Sequence, residues 1–144
     1  MTEPHEVVAR DEVATRAAGR ELAARVAAGE VVLLEGELGA GKTVFVRGLA
    51  EGLGADPDEV ASPTFALVHE YGPSGSAPVL LHADLYRLAE NDASVAELGI
   101  LDALQRGAVV AIEWPRPPFT ELPGWRVEIR EGPAGRLIRV APTA

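Results

Sequence analysis

Cysteine is absent, lysine occurs once among thirteen basic residues, and Phe, Trp and Tyr together make up 5% of the 144 positions. Without cysteine there is no disulfide framework and no thiolate zinc site, which accords with a reducing cytoplasm as the expected location. Clustered positive charge is also missing. A net charge of −9 argues against nonspecific binding to duplex nucleic acid or to an anionic membrane, since both rely on basic patches. It leaves room for a nucleic acid-modifying assembly in which a partner holds the RNA. No apolar run approaches the roughly 18 residues of a membrane span, and Met1 to Arg10 carries no signal-peptide pattern. Neither an internal repeat nor a separating linker is visible. With 47% hydrophobic residues, the chain is expected to form one domain, residues 1–144, with a real core.

The lone lysine lies in the most informative stretch. Gly36 to Thr43 reads GELGAGKT and fits G-x-x-x-x-G-K-[ST] between the apolar run Val31-Val32-Leu33-Leu34 and the helix-like Val44-Phe45-Val46-Arg47-Gly48-Leu49. Strand, loop and helix in that order make a phosphate cradle. Gly36 and Gly41 permit close approach of backbone N–H groups to phosphate oxygens, and the following helix adds its unpaired first-turn amides. The candidate nucleotide-binding residues are therefore Gly36, Glu37, Leu38, Gly39, Ala40, Gly41, Lys42, Thr43 and Val44. Lys42 supplies positive charge to the β- and γ-phosphates, and Thr43 an oxygen to Mg²⁺. A Gly-rich turn with an accidental Lys-Thr is the bland alternative, and the flanking pattern weighs against it.

Taken along the chain, His5 to Val8 suits a short strand. Asp11 to Ala28 suits a helix, with Val13, Ala17, Leu22 and Val26 near helical spacing and Gly29 closing it. Glu30 to Glu35 is apolar without alternation, as in a parallel strand buried on both faces. A second helix is expected from about Gly41 to Leu53, ended by Gly54, and Asp56-Pro57-Asp58 reads as a turn. Pro63 biases Ser62 toward an extended form. The Phe65 to Tyr71 and Val79 to Asp84 segments pair as a hairpin across Pro73-Ser74-Gly75-Ser76. Glu90 to Gln105 is partly helical with a break at Gly99. Ala108 to Ile112 is another apolar strand, and Pro115 to Pro118 a loop. Trp125 to Glu131 and Arg136 to Ala141 form a terminal hairpin that should be peripheral, whereas the Val31 and Val109 runs should be central. The fold class expected is α/β, a single domain of the P-loop NTPase kind with a mixed, largely parallel sheet, flanking helices and antiparallel edge hairpins.

Two apolar strands end in a carboxylate, Asp84 and Glu113. Ligands of open α/β sheets sit outside the carboxyl ends of the strands, where the phosphate loop also lies. Either acid can meet the Mg²⁺ held through Thr43 or position an attacking water; periodicity alone does not say which touches metal. Thr64, after Pro63 in a loop, is a weaker candidate for the γ-phosphate or Mg²⁺. His82, inside a strand, reads as a packed, hydrogen-bonded histidine rather than a catalyst. His5 and His69 do not join it in a metal site. Arg87 either approaches phosphate or pairs with Glu90.

GELGAGKT, SPTFALVHEY, HADLYRL, Glu97-Leu98-Gly99 and IEWP, between residues 36 and 115, give the sequence a specific resemblance to the TsaE (YjeE) family of small bacterial P-loop ATPases required for threonylcarbamoyladenosine modification of tRNA. The resemblance implies a Mg²⁺-dependent ATPase that supports turnover of TsaD and TsaB, with tRNA met only through that complex. It implies that Lys42 and Thr43 bind phosphate and metal, Thr64 belongs to a switch-like loop, Asp84 assists Mg²⁺ binding, Glu113 is needed for hydrolysis, and Trp114 lies close to ATP. Physical reasoning alone leaves a small-molecule or nucleotide kinase open, since the same loop serves both, although no Arg-rich lid follows Glu113. A nucleotide-dependent interaction module is the third reading.

Overall fold

Val31 to Leu34 is apolar at every position, and each of the four side chains is fully buried. A strand with no polar face must be covered on both sides. In a computed structural model of the protein, which describes residues 4–37, 39, 41–56, 68–72, 79–85 and 99–143, this run is the third element of an alternating chain. The order is β1 (His5–Ala9), α1 (Glu12–Ala23), β2 (Val31–Glu35), α2 (Lys42–Gly52), β3 (Val68–Tyr71), β4 (Leu80–Asp84), α3 (Ile100–Gln105), β5 (Val109–Glu113), a 3-10 turn (Phe119–Glu121), β6 (Gly124–Gly132) and β7 (Gly135–Pro142). The seven strands among the described residues form one sheet in the order β1-β7-β6-β2-β5-β4-β3. β2 runs parallel to both neighbours, Val31 facing Val110 of β5 and Gly124 of β6, and β4 runs parallel to β5. The β3–β4, β6–β7 and β1–β7 pairs are antiparallel.

Strand alternation divides the core in two. Val32, Leu34, Leu80, Val109 and Ala111 pack with Phe45, Val46 and Leu49 of α2 and Leu22 of α1. Val31, Leu33, Leu81, Val110 and Ile112 pack with Ile100 and Ala103 of α3 and with Phe119. The two helices on the first face meet closely because Gly19 and Gly48 have no side chain. A methyl at Gly48 would run into the Arg16 carbonyl, and one at Gly19 into that of Phe45. Arg16 and Arg20 then reach across to Glu51, whose carboxyl is held below its usual range, first of all by the Arg16 hydrogen bond.

Two expectations are corrected. The first helix ends at Ala23 rather than Ala28, because the cap N–H groups of Ala24 to Val26 fold back on Glu21 and Leu22 and the chain must turn to enter β2. Gly29, at φ +82, belongs to that turn and donates to the Ala108 carbonyl. The terminal hairpin is not peripheral. β6 lies inside the sheet against β2, β1 covers β7, and Trp125 is 5% exposed. Alternation within the hairpin says nothing about its neighbours in the sheet, and these are β2 on one side and β1 on the other. The Gly99 break becomes the start of α3, at φ +75. The turn beyond Asp56, Ser62 to Leu67, Arg87 and Glu90 to Leu98 lie outside the described residues. No described helix is long and apolar enough to cross a membrane.

Candidate functional site

The buried strand β2 must deliver its chain to α2 within six residues, and the turn does so through Gly41, the N-cap, at φ +106. This left-handed conformation suits glycine, and a Cβ there would also press on the Arg136 guanidinium, 2.9 Å from its Nη1. No side-chain hydrogen bond caps the helix. Its first-turn amides therefore remain directed at the loop, the arrangement that receives anions.

Lys42, the first residue of α2, is 4% exposed. Its Nζ donates to the Gly36 carbonyl at 2.7 Å, lies 3.9 Å from Glu113 Oε1, and sits 4.0 Å from the centre of the Trp114 ring. Burial pushes the ammonium below its ordinary pKa, while Glu113 and then Asp84 pull it back up. Sequence-distant candidates thus converge on one nitrogen. Glu113 reaches it directly, and Asp84 acts on it by charge from the adjacent parallel strand, where Asp84 is paired in register with Glu113 and Glu113 with Leu34 of the loop strand. Glu113 is therefore one strand nearer the phosphate loop, and Asp84 acts from the strand beyond.

Immediately after Glu113 the backbone reverses. Trp114 adopts φ +57, a left-handed conformation that costs a bulky residue about 1–3 kcal/mol and persists where surroundings enforce it. The reversal lays the indole over Lys42. Thr43 and Val44 occupy the first turn of α2, both half-buried. Glu37 and Gly39 are exposed in the loop. Leu38, Ala40 and Thr64 lie outside the described residues.

Three neighbours were not singled out as functional from the sequence. His82 Nε2 meets Glu113 Oε2 at 2.5 Å, and the His82 ring is fully buried. Arg136, on β7, donates to the Gly39 carbonyl at 3.2 Å and approaches Glu131 at 3.6 Å. Arg116 donates to the Leu85 carbonyl, joining the loop after β5 to the end of β4. The two-residue strand period relating His82 to Asp84 was a usable signal for the first; the arginines become visible only in three dimensions. A cavity of about 900 Å³ opens beside the loop, between Gly36, Gly39, Trp114 and Pro115 on one side and Glu128 to Glu131 on the other.

Metal chemistry fits this donor set. Mg²⁺ at phosphate sites takes few protein oxygens, with substrate phosphates and water completing its shell. The Thr43 hydroxyl and the Asp84 and Glu113 carboxylates are hard oxygen donors of that kind. A dedicated cage of three or more ligating side chains is not required, and none occurs among the described residues.

The family model for "Threonylcarbamoyl adenosine biosynthesis protein TsaE" matches residues 9–136, from the last residue of β1 into β7. The chain belongs to the TsaE family. Among the curated relatives of this TsaE-family chain, the tRNA threonylcarbamoyladenosine biosynthesis protein TsaE of Streptomyces coelicolor is 41% identical over 115 residues, covering 80% of this chain and 76% of the relative. The protein of the same name from Bacillus subtilis is 39% identical over 115 residues, covering 80% and 69%. The crystal structure of Bacillus subtilis YdiB superposes with a TM-score of 0.70 at 28% identity, over 100% of this chain and 88% of that one. The similarity therefore includes the terminal hairpin that carries Arg136, as well as the phosphate loop.

Proposed function

We propose that this TsaE-family chain binds and hydrolyses ATP with Mg²⁺ as the nucleotide-driven component of tRNA threonylcarbamoyladenosine synthesis, working as one unit over residues 1–144. The observation that carries the reading is the buried meeting of Lys42 and Glu113 at 3.9 Å, where the phosphate loop joins the carboxyl end of β5. A general P-loop needs the lysine alone; hydrolysis also needs an acceptor for the proton of the attacking water.

In this reading the amides of Gly36 to Val44 receive the polyphosphate, and Lys42 exchanges its bond to the Gly36 carbonyl for phosphate oxygens. Thr43 and Asp84 hold the metal site, with Glu113 contributing directly or through water. Mg²⁺, when bound, neutralises charge on the β- and γ-phosphates. Glu113 Oε1 accepts a hydrogen bond from water and directs its oxygen at the γ-phosphorus, so that the new P–O bond forms as the bond to ADP breaks. Thr64 acts in a switch-like loop. Four glutamates, Glu35, Glu37, Glu128 and Glu131, border the adjoining cavity. Arg126, Arg130 and Arg136 pair with Glu35, Glu128 and Glu131, and the cavity, which lies across Trp114 from Lys42, takes the base and ribose.

The partners are TsaD and TsaB, which carry the group transfer, and tRNA is met through them. The compartment is the cytoplasm. Phosphate release by the purified chain, alone, with small phosphoryl acceptors and with TsaD and TsaB, tests the reading. Release that is stimulated by TsaD and TsaB and strongly lowered, though still measurable, in E113Q supports it; transfer to an acceptor in place of release would establish a kinase instead.

A further inference from the structure

His82 lies in the middle of β4, two residues before Asp84, so both side chains face the α1–α2 side of the sheet. The ring is 0% exposed. Its Nε2 lies 2.5 Å from Glu113 Oε2, while the other carboxylate oxygen, Oε1, is the one facing Lys42 at 3.9 Å. The two oxygens of Glu113 are thus differently employed, one held from the neighbouring strand and one presented to the phosphate loop.

The other ring nitrogen makes no such contact. His82 Nδ1 is buried and has no hydrogen-bond partner among the described residues. A carboxylate oxygen can only accept, so in this contact Nε2–H is the donor. An aliphatic residue would fill the same buried position without the unpartnered nitrogen, so packing alone gives no reason for imidazole here.

We infer that His82 is a positioning residue, whose Nε2–H anchors Glu113 Oε2 so that Oε1 stays aimed at the water that attacks ATP. The inference rests on the hydrolytic role proposed above for Glu113. The terminal torsion of a glutamate is broad and roughly two-fold, so a carboxylate without an anchor samples many orientations. One hydrogen bond from a rigid ring on the next strand restricts it.

The test measures steady-state phosphate release, affinity for a non-hydrolysable ATP analogue and melting temperature for H82L, H82Q, H82N, E113Q and the H82L/E113Q pair. Loss of an orienting partner typically lowers activity about 10- to 100-fold, and that fall is expected in kcat of H82L, with analogue affinity within about 3-fold of the parent. The Gln amide nitrogen reaches the place of Nε2, so H82Q should retain kcat within about 3-fold, whereas the shorter H82N should fall with H82L. In the E113Q background, H82L should add little further loss. Should H82L fail to fold, the Gln and Asn variants carry the same comparison. Equal kcat in H82Q and H82N, or an H82L loss undiminished beside E113Q, would overturn the inference. A full rate in E113Q with His82 intact removes the hydrolytic reading itself.

Discussion

Replacing Lys42 with methionine should separate activity from stability. The ammonium is 4% exposed and 3.9 Å from Glu113 Oε1. At an effective dielectric near 20 that attraction is worth about 4 kcal/mol, and removing one partner of a buried pair commonly costs about 3–5 kcal/mol. Burial opposes it and is the larger effect, because the Lys42 pKa is pushed below its ordinary value even though Glu113 and Asp84 raise it. The folded protein therefore disfavours the charged form on balance. A neutral side chain of similar length removes that penalty and loses the hydrogen bond to the Gly36 carbonyl, worth about 1 kcal/mol. Glu113 keeps His82 as a partner. Without nucleotide, K42M should melt within about 3 °C of the parent or above it, while kcat falls at least about 100-fold.

The pH dependence has a definite sign. As pH rises through the lowered folded pKa, the folded parent releases the Lys42 proton while the unfolded chain keeps it up to the ordinary value of 10.5. Across that window the unfolded state binds more protons, so the parent gains stability relative to K42M; below it, their difference is constant. Urea unfolding of both proteins over a pH series measures this. A K42M protein less stable by about 3 kcal/mol or more at neutral pH would refute the reasoning, since attraction to Glu113 would then outweigh burial.

Four further outcomes are expected. Asp84→Asn should raise the Mg²⁺ concentration for half-maximal ATP hydrolysis about 10-fold with a smaller change in maximal rate, measured by separate metal and ATP titrations. The fluorescence response to a Mg²⁺-loaded, non-hydrolysable ATP analogue should survive W125F and largely disappear in W114F, because Trp114 lies over Lys42 while Trp125 is buried in β6; a full response in W114F with affinity intact would place the moving element elsewhere. Arg136→Ala removes the guanidinium bond to the Gly39 carbonyl and should weaken analogue binding about 3- to 10-fold by calorimetry, a modest effect because the arginine is partly exposed. Gly48→Ala drives a methyl into the Arg16 carbonyl and should cost about 1–3 kcal/mol in urea unfolding, with unchanged stability arguing against the close α1–α2 crossing.

Local chemistry was enough to write much of this protein from its residues. The glycines and the single lysine of GELGAGKT admit few uses other than cradling phosphate. An unbroken apolar run such as Val31 to Leu34 has to lie inside a sheet, and acids that end such runs have to emerge where the loop does. These are properties of neighbouring residues, and they pointed to the nucleotide site proposed above and to the parallel centre of the sheet. Strand order is a different kind of fact, because it depends on partners far apart in sequence. Alternation in Trp125 to Ala141 described a hairpin correctly but carried no information that β6 pairs with β2, nor that β1 covers β7. That pairing brings Arg136 to the Gly39 carbonyl across 97 residues. Which carboxylate lies nearer Lys42 also waited on register: with β5 next to β2, Glu113 comes to 3.9 Å from Lys42 and Asp84 stands one strand away. His82 shows the division most sharply. Its period-2 relation to Asp84 was present in the sequence, but its partner is 31 residues away on an adjacent strand, and only the folded sheet makes that partner Glu113.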